Sequence, residues 1–375
     1  MGRTHAFRWH GLAVIKIGSA VLAPEGAADA AAFARLAEGV AAARGMGWGV
    51  VLVSSGAVAC GFRALGLDRP PKTIARKQAA AAIGQPALMG LWSAALGAHR
   101  CAAAQVLLTA DDLDARARFL NARRTLGELL GAGLVPVVNE NDSVSFDEIK
   151  LGDNDRLSAL VAGLVSAQLL LVLSSVDGVY EHGDARRVIA RLGSAREAAA
   201  HVRPDKTATG VGGMGTKLEA ASIASAWGIA TVIARGTRAG VIPAVLRGEP
   251  VGTRVEPAAR PRRARERWLM ASARARGVVT IDDGARRAIT ERGASLLPAG
   301  VVGVSGDFAR GAVVQVADAA GAAVARGVSA YSADELRRIK GLRAAQLPGA
   351  LGHAAYCDEA IHRDDMALQA AARGS

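Results

Sequence analysis

The sequence predicts an α/β fold, a three-layer α/β/α sandwich around a mostly parallel sheet, followed by a small β-rich domain. Two observations carry this expectation. Apolar strand-like runs alternate with helical segments over about the first 240 residues, as they do when a parallel sheet has helices on both faces. After Pro257 the composition becomes rich in Arg, Ala and Pro, and several short strand-like runs follow. We expect domains at 1–256 and 277–355, a basic linker at 257–276 and a tail at 356–375.

The composition fits a folded protein of this class. With 375 residues the chain is long enough for two domains of about 150 residues each. Hydrophobic residues make up 51% and aromatic residues 4%, so the core is expected to consist largely of Ala, Val, Leu and Ile. The net charge of +12 favours anionic partners but says nothing about the fold. The three cysteines are far apart and odd in number, which argues against a disulfide framework and for a cytoplasmic protein.

No targeting or membrane segment is expected. Lys16 interrupts the apolar run of residues 12–17, so the N-terminus lacks the apolar core of a signal peptide. Residues 78–98 are uncharged and long enough to span a membrane. Their Gln85-Pro86 centre and Ala/Gly content instead favour a pair of buried helices.

The first element is a strand at residues 13–17, which ends in a Gly18-Ser19 turn. Lys16 stands in it among four apolar neighbours. Burying an unpaired cation is costly, so this lysine either extends to solvent at the strand end or meets an anion. Taken by itself, the first alternative is favoured.

The second strand-turn-helix unit ends in small residues. A helical segment at 30–44 precedes a strand at 48–53, and the turn Ser54-Ser-Gly-Ala57 follows. Backbone N–H groups and hydroxyls at a helix start can bind an anion, although a serine cap explains one such turn equally well. Two such turns in consecutive units favour a phosphate or carboxylate site.

The middle of the chain continues the alternation. We expect helices at 72–100, broken at 84–86, and at 111–130, and strands at 104–108, 133–138 and 169–173. The strand at 169–173 closes on the turn Ser174-Ser-Val-Asp-Gly178.

Two polar clusters near residue 140 are the strongest indication of a ligand site. Asn139-Glu-Asn-Asp142 directly follows a strand, and Gly152-Asp-Asn-Asp155 opens the next helix. Ligands of open α/β sheets lie at the carboxyl ends of strands and at helix N-termini. An Asp N-cap would explain one acid, but not two clusters at one edge.

A glycine-rich segment, Gly210-Val-Gly-Gly-Met-Gly-Thr-Lys217, opens the helix at 218–227. It is not a dinucleotide-binding fingerprint, because no strand directly precedes it, and it is not a Walker loop, because Thr216 precedes the lysine. A glycine loop at a helix N-terminus beside a lysine can nevertheless hold a polyphosphate. A surface loop with a solvated lysine remains the alternative.

The C-terminal part is predicted to be a small β-rich domain with one helix, at residues 283–289. Its strands are expected at 278–281, 300–304, 311–316 and 323–328. No element is assigned after Ala345. His362-Arg-Asp-Asp365 has metal-binding residue types, but a solvated polar turn is the simpler interpretation.

Seven motifs stand in a fixed order along the chain. They are Val14-Ile-Lys-Ile-Gly-Ser19, Val53-Ser-Ser-Gly-Ala57, Lys77-Gln78, Arg118-Phe-Leu-Asn-Ala-Arg123, Pro136-Val-Val-Asn-Glu-Asn-Asp142, Gly152-Asp-Asn-Asp155 and Gly212-Gly-Met-Gly-Thr-Lys217. This ordered set resembles the bacterial glutamate 5-kinases of the amino-acid kinase superfamily. Two further segments, Gly293-Ala-Ser-Leu-Leu-Pro298 and Val304-Ser-Gly-Asp-Phe-Ala-Arg-Gly311, resemble the PUA domain that many of these enzymes carry.

The resemblance implies ATP-dependent phosphorylation of the γ-carboxylate of L-glutamate, the first step of proline biosynthesis. It implies that Lys16 and Lys217 hold the phosphates and that Asp155 orients both lysines. The implied glutamate-binding residues are Ser55, Gly56, Asp142 and Asn154. The implied nucleotide-binding residues are Lys16, Gly18, Ser174, Ser175, Gly212, Gly213, Met214, Gly215, Thr216 and Lys217.

The resemblance further implies ATP as substrate, Mg²⁺ carried on its phosphates without dedicated protein ligands, and feedback inhibition by proline. It also suggests a dimer or tetramer, a glutamyl-phosphate reductase as downstream partner, and RNA contact through the PUA-like domain. Two departures concern the nucleotide side. Ser174-Ser175 stands where the family commonly has Thr-Asp, and Val211 stands where it often has Thr.

Two other functions compete with this one. Another kinase of the superfamily would act on acetylglutamate, aspartate, carbamate or a nucleoside monophosphate, but the Asn139–Asp142 cluster and the PUA-like part argue against it. An RNA-binding PUA protein would fit the +12 charge and the basic run of residues 260–276. The C-terminal part lacks a basic surface interleaved with aromatic residues, so RNA binding is expected as a side activity at most.

Overall fold

A computed structural model describes most of the chain and divides it into two compact units, Met1–Pro261 and Arg262–Ser375. The described residues are 7–24, 26–109, 112–113, 116–144, 154–181, 184–194, 197, 213–258, 269, 275–353, 355 and 357–369. The expected basic linker falls largely outside them, as does the Gly152-Asp153 half of the second polar cluster.

The first unit is built on an eight-stranded sheet with the order β3-β4-β2-β1-β5-β9-β10-β8. The strands are β1 Gly11–Ile17, β2 Trp48–Ser54, β3 Ala103–Leu108, β4 Val135–Glu140, β5 Leu169–Ser174, β8 Arg191–Leu192, β9 Ala230–Arg235 and β10 Thr253–Val255. A separate hairpin pairs β6 Tyr180–Glu181 with β7 Asp184–Val188. The six strands from β3 to β9 in the sheet order are parallel, and β10 runs antiparallel to β9. Parallel strands bring their carboxyl ends to one edge.

Helices cover both faces of this sheet, so the expected three-layer sandwich is confirmed. They are α1 Ser19–Leu22, α2 Ala30–Gly45, α3 Ala57–Gly61, α4 Ile74–Gly97, α5 Arg116–Gly131, α6 Asn154–Leu164, α7 Met214–Ala226 and α8 Val241–Leu246. On one face, Ile15 and Ile17 of β1 join the α2 and α4 residues Phe33 and Trp92 in one buried apolar cluster. Because side chains alternate along a strand, Lys16 points to the opposite face, where α6 packs against β1.

Helix α4 corrects the expectation of two helices broken near Gly84. It runs without interruption from Ile74 to Gly97 with Pro86 inside it. Proline removes the hydrogen bond to the carbonyl of residue 82, but residues 82 and 86 both lie on the exposed face, where water can satisfy that carbonyl. By length and composition α4 alone among the described helices could cross a membrane, yet its Leu88, Trp92 and Leu96 are fully buried in the core, as in the core helix of a soluble protein.

The second unit is β-rich, as expected. Its five-stranded sheet has the order β12-β11-β13-β14-β15. The elements are β11 Gly277–Ile281, α9 Asp283–Arg292, β12 Val301–Gly306, β13 Val313–Ala317, β14 Ala323–Val328, α10 Ala333–Ile339, α11 Leu347–Leu351 and β15 Met366–Leu368. The expectation of one helix was wrong, because α10 and α11 also form. Strand β15, in the expected tail, pairs with β14 at the edge of the sheet.

Candidate active site

The carboxyl ends of β1, β2, β4 and β5 surround a cavity of about 470 Å³. Glycines, serines and prolines form much of its wall, while lysines, amides and acids supply its polar groups. Its lining comprises Lys16, Gly18, Ser19, Ala20, Val21, Ser55, Gly56, Ala57, Val58, Ala59, Pro70, Pro71, Lys77, Asn139, Glu140, Asp142, Asn154, Ser174, Ser175, Gly213 and Lys217. The cavity therefore lies at the sheet edge where the polar clusters of the sequence predict a ligand.

A buried carboxylate between two lysines lies at the base of this cavity. Oδ1 of Asp155 is 2.6 Å from Nζ of Lys16, and Oδ2 is 3.2 Å from Nζ of Lys217. Asp155 is fully buried, and each lysine is 4% exposed. The expectation that Lys16, taken alone, reaches solvent was wrong, because α6 places an acid directly opposite it. These three side chains, two cations and one acid, together carry a net positive charge, which favours an anionic ligand.

The hydrogen-bond and ion-pair partners of Asp155 keep its carboxyl group ionised. Burial acts to raise the pKa of its carboxyl group, but the positive charges of Lys16 and Lys217 act against it. Hydrogen bonds from Lys16 and from Thr216, whose Oγ1 donates to Oδ2 at 2.7 Å, add to that effect. The pKa of Asp155 is therefore lowered, and the group stays ionised at neutral pH.

Helix α7 supplies the second lysine from its first turn. Gly213 is the N-cap in an extended conformation. Its carbonyl oxygen lies 2.8 Å from Oγ1 of Thr216 and accepts a hydrogen bond from Nζ of Lys217 at 3.4 Å. The unpaired N–H groups of a helix start carry partial positive charge. This end of the cavity thus combines a helix N-terminus with the lysine pair, a combination suited to phosphate.

A network of amides forms the other side of the cavity. Nδ2 of Asn154 lies 2.9 Å from Oγ of Ser55 and 3.0 Å from Oδ1 of Asn139. Asn139 in turn donates from Nδ2 to Oε1 of Gln85 at 2.8 Å. Beside Ser55, Gly56 caps α3 at φ +115°, a left-handed conformation that L side chains rarely adopt. Glycine there lets the turn after β2 present its backbone to a ligand.

Asp142 lies in the turn after β4 and lines the same cavity. Burial raises the pKa of its carboxyl group to about 6. A partly desolvated acid of this kind favours a cationic ligand group such as an ammonium.

The structure brings most of the predicted residues together. Lys16, Gly18, Ser55, Gly56, Asp142, Asn154, Ser174, Ser175, Gly213 and Lys217 line the cavity, and Asp155 lies just beneath it. Met214, Gly215 and Thr216 form the first turn of α7 next to the lining. Gly212 lies outside the described residues.

Sequence reasoning missed several residues of the site. Lys77 and Asn139 line the cavity, and both belong to motifs noted in the sequence, but neither was assigned a role. Gln85 was noted only as part of a break in a helix, whereas its side-chain oxygen Oε1 accepts a hydrogen bond from Nδ2 of Asn139. A buried glutamine inside an apolar helix was the signal that could have identified it, since buried amides require partners.

A smaller cavity of about 230 Å³ lies beyond the ends of β5 and β9. At its edge Arg235 donates from Nε and Nη2 to the two carboxylate oxygens of Asp177, at 2.6 and 2.8 Å. The hydrogen bond from Arg235 is the main reason that the pKa of Asp177 falls to about 2. This pair follows the Ser174-Ser175 turn, where the sequence departs from the family motif.

The described residues contain no group of three or more His, Cys, Asp and Glu side chains that could hold a metal ion. The carboxylate oxygens of Asp155 already face two lysines.

Two family models match the chain. The model described as Amino acid kinase family matches residues 11–235, which include the whole lysine–carboxylate cluster. The model described as PUA domain matches residues 277–351, within the second unit.

Curated relatives match almost the whole chain. It is 48% identical to Glutamate 5-kinase of Anaeromyxobacter dehalogenans over 363 residues, which are 95% of both chains. It is 48% identical to Glutamate 5-kinase of Thermus thermophilus over 360 residues, 95% of this chain and 96% of that one. It is 50% identical to Glutamate 5-kinase of Myxococcus xanthus over 325 residues, 85% of this chain and 86% of that one.

Proposed function

The chain belongs to the glutamate 5-kinase family, within the amino acid kinase family, and from this premise we propose how its cavity carries out the reaction. The reaction is ATP-dependent phosphorylation of glutamate, the first step of proline biosynthesis. An oxygen of the γ-carboxylate attacks the γ-phosphorus of ATP, the bond to the β-phosphate oxygen breaks, and ADP leaves. The observation that carries our assignment is the pair of buried lysines on Asp155 beside the amide-lined half of one cavity.

Lys16 and Lys217 bind the phosphates and the transferring phosphoryl group in this proposal. Phosphoryl transfer depends on positioning and on neutralising charge, both of which two fixed ammonium groups provide. Asp155 orients them from below, since each of its oxygens faces a different lysine. The attacking carboxylate is ionised at neutral pH, so no general base is needed.

Glutamate occupies the side of the cavity formed by Ser55, Gly56, Asp142 and Asn154. Its two carboxylates need hydrogen-bond donors, which the Ser55 hydroxyl and the backbone at Gly56 offer. Its ammonium needs an acid, and Asp142 is the acid on that side of the lining. This polarity is what an amino-acid ligand requires.

The nucleotide occupies the opposite side, along Lys16, Gly18 and the Ser174-Ser175 turn to the start of α7. Gly212, Gly213, Met214, Gly215, Thr216 and Lys217 supply the backbone N–H groups and side chains around the phosphates. ATP enters as its Mg²⁺ complex, in which the cation bridges phosphate oxygens and reduces their charge. The lysines and the N-terminus of α7 then act on a partly neutralised polyphosphate.

The assignment is tested by ADP release with Mg²⁺-ATP and L-glutamate, N-acetylglutamate, aspartate or carbamate as acceptor. We expect turnover on glutamate alone and its loss in Lys217→Ala. Lys340→Ala, which removes an exposed lysine of the second unit, is the matched control and should behave as wild type. Turnover on a different acceptor would overturn the substrate assignment, and full activity of Lys217→Ala would overturn the role of the lysine pair.

Proline inhibits the enzyme by binding where glutamate binds, in our proposal. The support is the cavity side that offers an acid and donors to an amino acid's ammonium and carboxylate. Proline should then raise the KM for glutamate and leave kcat unchanged. Inhibition that saturating glutamate does not relieve would contradict the overlap.

Four further assignments rest on family membership: a cytoplasmic location, a homodimer or homotetramer, a reductase that consumes the acyl phosphate, and RNA contact through the PUA domain. The RNA contact is checked by titrating labelled RNA at rising salt, because phosphate-dominated binding weakens steeply with salt. Light scattering of the purified protein checks the oligomer. An absence of salt-sensitive RNA affinity would remove the RNA assignment.

A further inference from the structure

Three side-chain amides connect helix α4 to the glutamate side of the cavity. Oε1 of Gln85 accepts from Nδ2 of Asn139 at 2.8 Å, and Oδ1 of Asn139 accepts from Nδ2 of Asn154 at 3.0 Å. Nδ2 of Asn154 also lies 2.9 Å from Oγ of Ser55. Gln85, Asn139 and Asn154 are 9%, 2% and 4% exposed, so water does not compete for these bonds.

The direction of every bond in this chain follows from one backbone group. The N–H of Glu140 donates to Oδ1 of Asn139 at 2.9 Å, which fixes that oxygen as the acceptor of the amide. Nδ2 of Asn139 must then donate, and Oε1 of Gln85 is its acceptor. Asn154 must likewise present its nitrogen to Oδ1 of Asn139.

The direction of the hydrogen bond between Asn154 and Ser55 decides whether the Ser55 hydroxyl can donate its proton to a ligand. Because Nδ2 of Asn154 donates to Oγ of Ser55, that oxygen is used as an acceptor on this side. A serine hydroxyl has one proton, which it is then free to donate elsewhere. Within the described residues the Ser55 hydroxyl donates to no acceptor, and Ser55 lines the cavity. It is therefore set to donate into the cavity, towards an anion.

Helix packing fixes the position of Gln85. Gly84 lies directly against α3, so closely that a Cβ there would be 1.9 Å from the carbonyl oxygen of Ala57. This close contact of the two backbones sets the distance between α4 and α3, the helix that begins just after Gly56. The contact between the backbones of α3 and α4 thus places the Gln85 side chain beside Asn139.

We propose that Gln85 is a positioning residue for the substrate: through Asn139 and Asn154 it orients the Ser55 hydroxyl to donate to a carboxylate of glutamate. The inference rests on the proposed function, in which Ser55 binds glutamate. Gln85 touches no substrate in this arrangement and acts entirely through the amide chain.

Gln85→Met keeps the length of the side chain but leaves Nδ2 of Asn139 without an acceptor. A lost buried hydrogen bond of this kind corresponds to an effect of about tenfold. We expect the KM for glutamate to rise about tenfold, with kcat and the KM for ATP within about twofold of wild type. Gln85→Glu keeps an acceptor, and since Nε2 of Gln85 has no partner among the described residues, it should restore a KM near that of wild type.

Met89→Leu is the matched control, because it alters the packing of α4 four residues further on without touching an amide. It should leave all three constants unchanged. Circular dichroism and Tm confirm folding of each variant, and Gln85→Leu replaces Gln85→Met if the latter does not fold. Equal losses in kcat and in both KM values would indicate a merely structural role and overturn the proposal.

A double-mutant cycle with Ser55→Ala tests the positioning role of Gln85 separately from the premise that Ser55 binds glutamate. If Gln85 acts through Ser55, Gln85→Met should add less than about twofold to the KM for glutamate in the Ser55→Ala background. Independent, multiplicative effects would overturn the role of Gln85. A Ser55→Ala variant with an unchanged KM for glutamate would instead overturn the premise that Ser55 binds glutamate.

Discussion

Replacing Asp155 by Asn tests the lysine cluster directly. The change keeps the volume of the side chain but removes the negative charge between two ammonium groups. Lys16 and Lys217 lie 2.6 and 3.2 Å from the carboxylate oxygens and are each 4% exposed, so neither can turn to solvent without rearrangement. The variant therefore buries two positive charges that repel each other.

The size of the effect follows from this burial. Removing one partner of a buried ion pair costs about 3–5 kcal/mol. The asparagine oxygen still accepts one hydrogen bond, so we take the lower end, about 3 kcal/mol. For a domain of this size that corresponds to a Tm lower by about 6–12 °C. Loss of oriented charge around the transferring phosphoryl group should lower kcat by about 10²–10³-fold.

The KM for ATP shows whether Asp155 acts by orienting the two lysines or by contributing to the binding of ATP. In the proposed arrangement Asp155 carries a negative charge beside the phosphates, so its removal should leave the KM for ATP unchanged or lower it. Scanning calorimetry and ADP release measure the three quantities, and Asp283→Asn, at an exposed position of the second unit, is the matched control. A kcat within threefold of wild type, or an unchanged Tm, would refute the reasoning.

Three further predictions use other parts of the first unit. Because burial raises the pKa of Asp142 to about 6, its carboxyl group becomes protonated below that pH. We expect kcat/KM for glutamate to fall below about pH 6, and Asp142→Asn to give a lower, pH-independent value; an unchanged acid limb in the variant would assign the titration elsewhere. Gly84→Ala places a methyl group 1.9 Å from the carbonyl oxygen of Ala57, so unfolding should require about 1–3 kcal/mol less by denaturant titration; a wild-type midpoint would show that α4 can shift. Asp177→Asn breaks a half-exposed pair with Arg235, so the free energy of unfolding should change by less than about 1 kcal/mol, and a larger loss would indicate a structural role for the pair.

The sheet and the position of the cavity could be predicted because both follow from local patterns. Apolar runs of five or six residues, each ending in small or polar residues, identify parallel strands and the edge where ligands bind. The residues that follow three of these runs, Gly18, Ser55 and Asn139, do line one cavity. Periodicity and turn composition are properties of neighbouring residues, so no knowledge of tertiary contacts was needed.

The partners within the site could not be predicted in the same way. From its strand alone Lys16 was expected to reach solvent, because the neighbours in that strand are apolar. Its partner Asp155 comes from a helix much later in the chain, and only the family resemblance implied this contact. Proline at position 86 was taken as a break, although helix α4 continues because that face is exposed. In both cases the deciding contact or exposure is a tertiary property that a short sequence window does not contain.

One acid between two lysines is compatible with the polyphosphate binding proposed for this side of the cavity. Two buried ammonium groups without a counter-ion would destabilise the protein before ATP arrives, and two carboxylates would cancel the attraction for phosphate. Among the described residues one carboxylate is shared by Lys16 and Lys217, and these three side chains together carry one net positive charge. On the side proposed for glutamate, the neutral amides of Gln85, Asn139 and Asn154 form a hydrogen-bonded chain that reaches Ser55 without adding charge. Shared charge on the phosphate side and positioning by hydrogen-bonded amides on the other side therefore meet two different needs of one reaction.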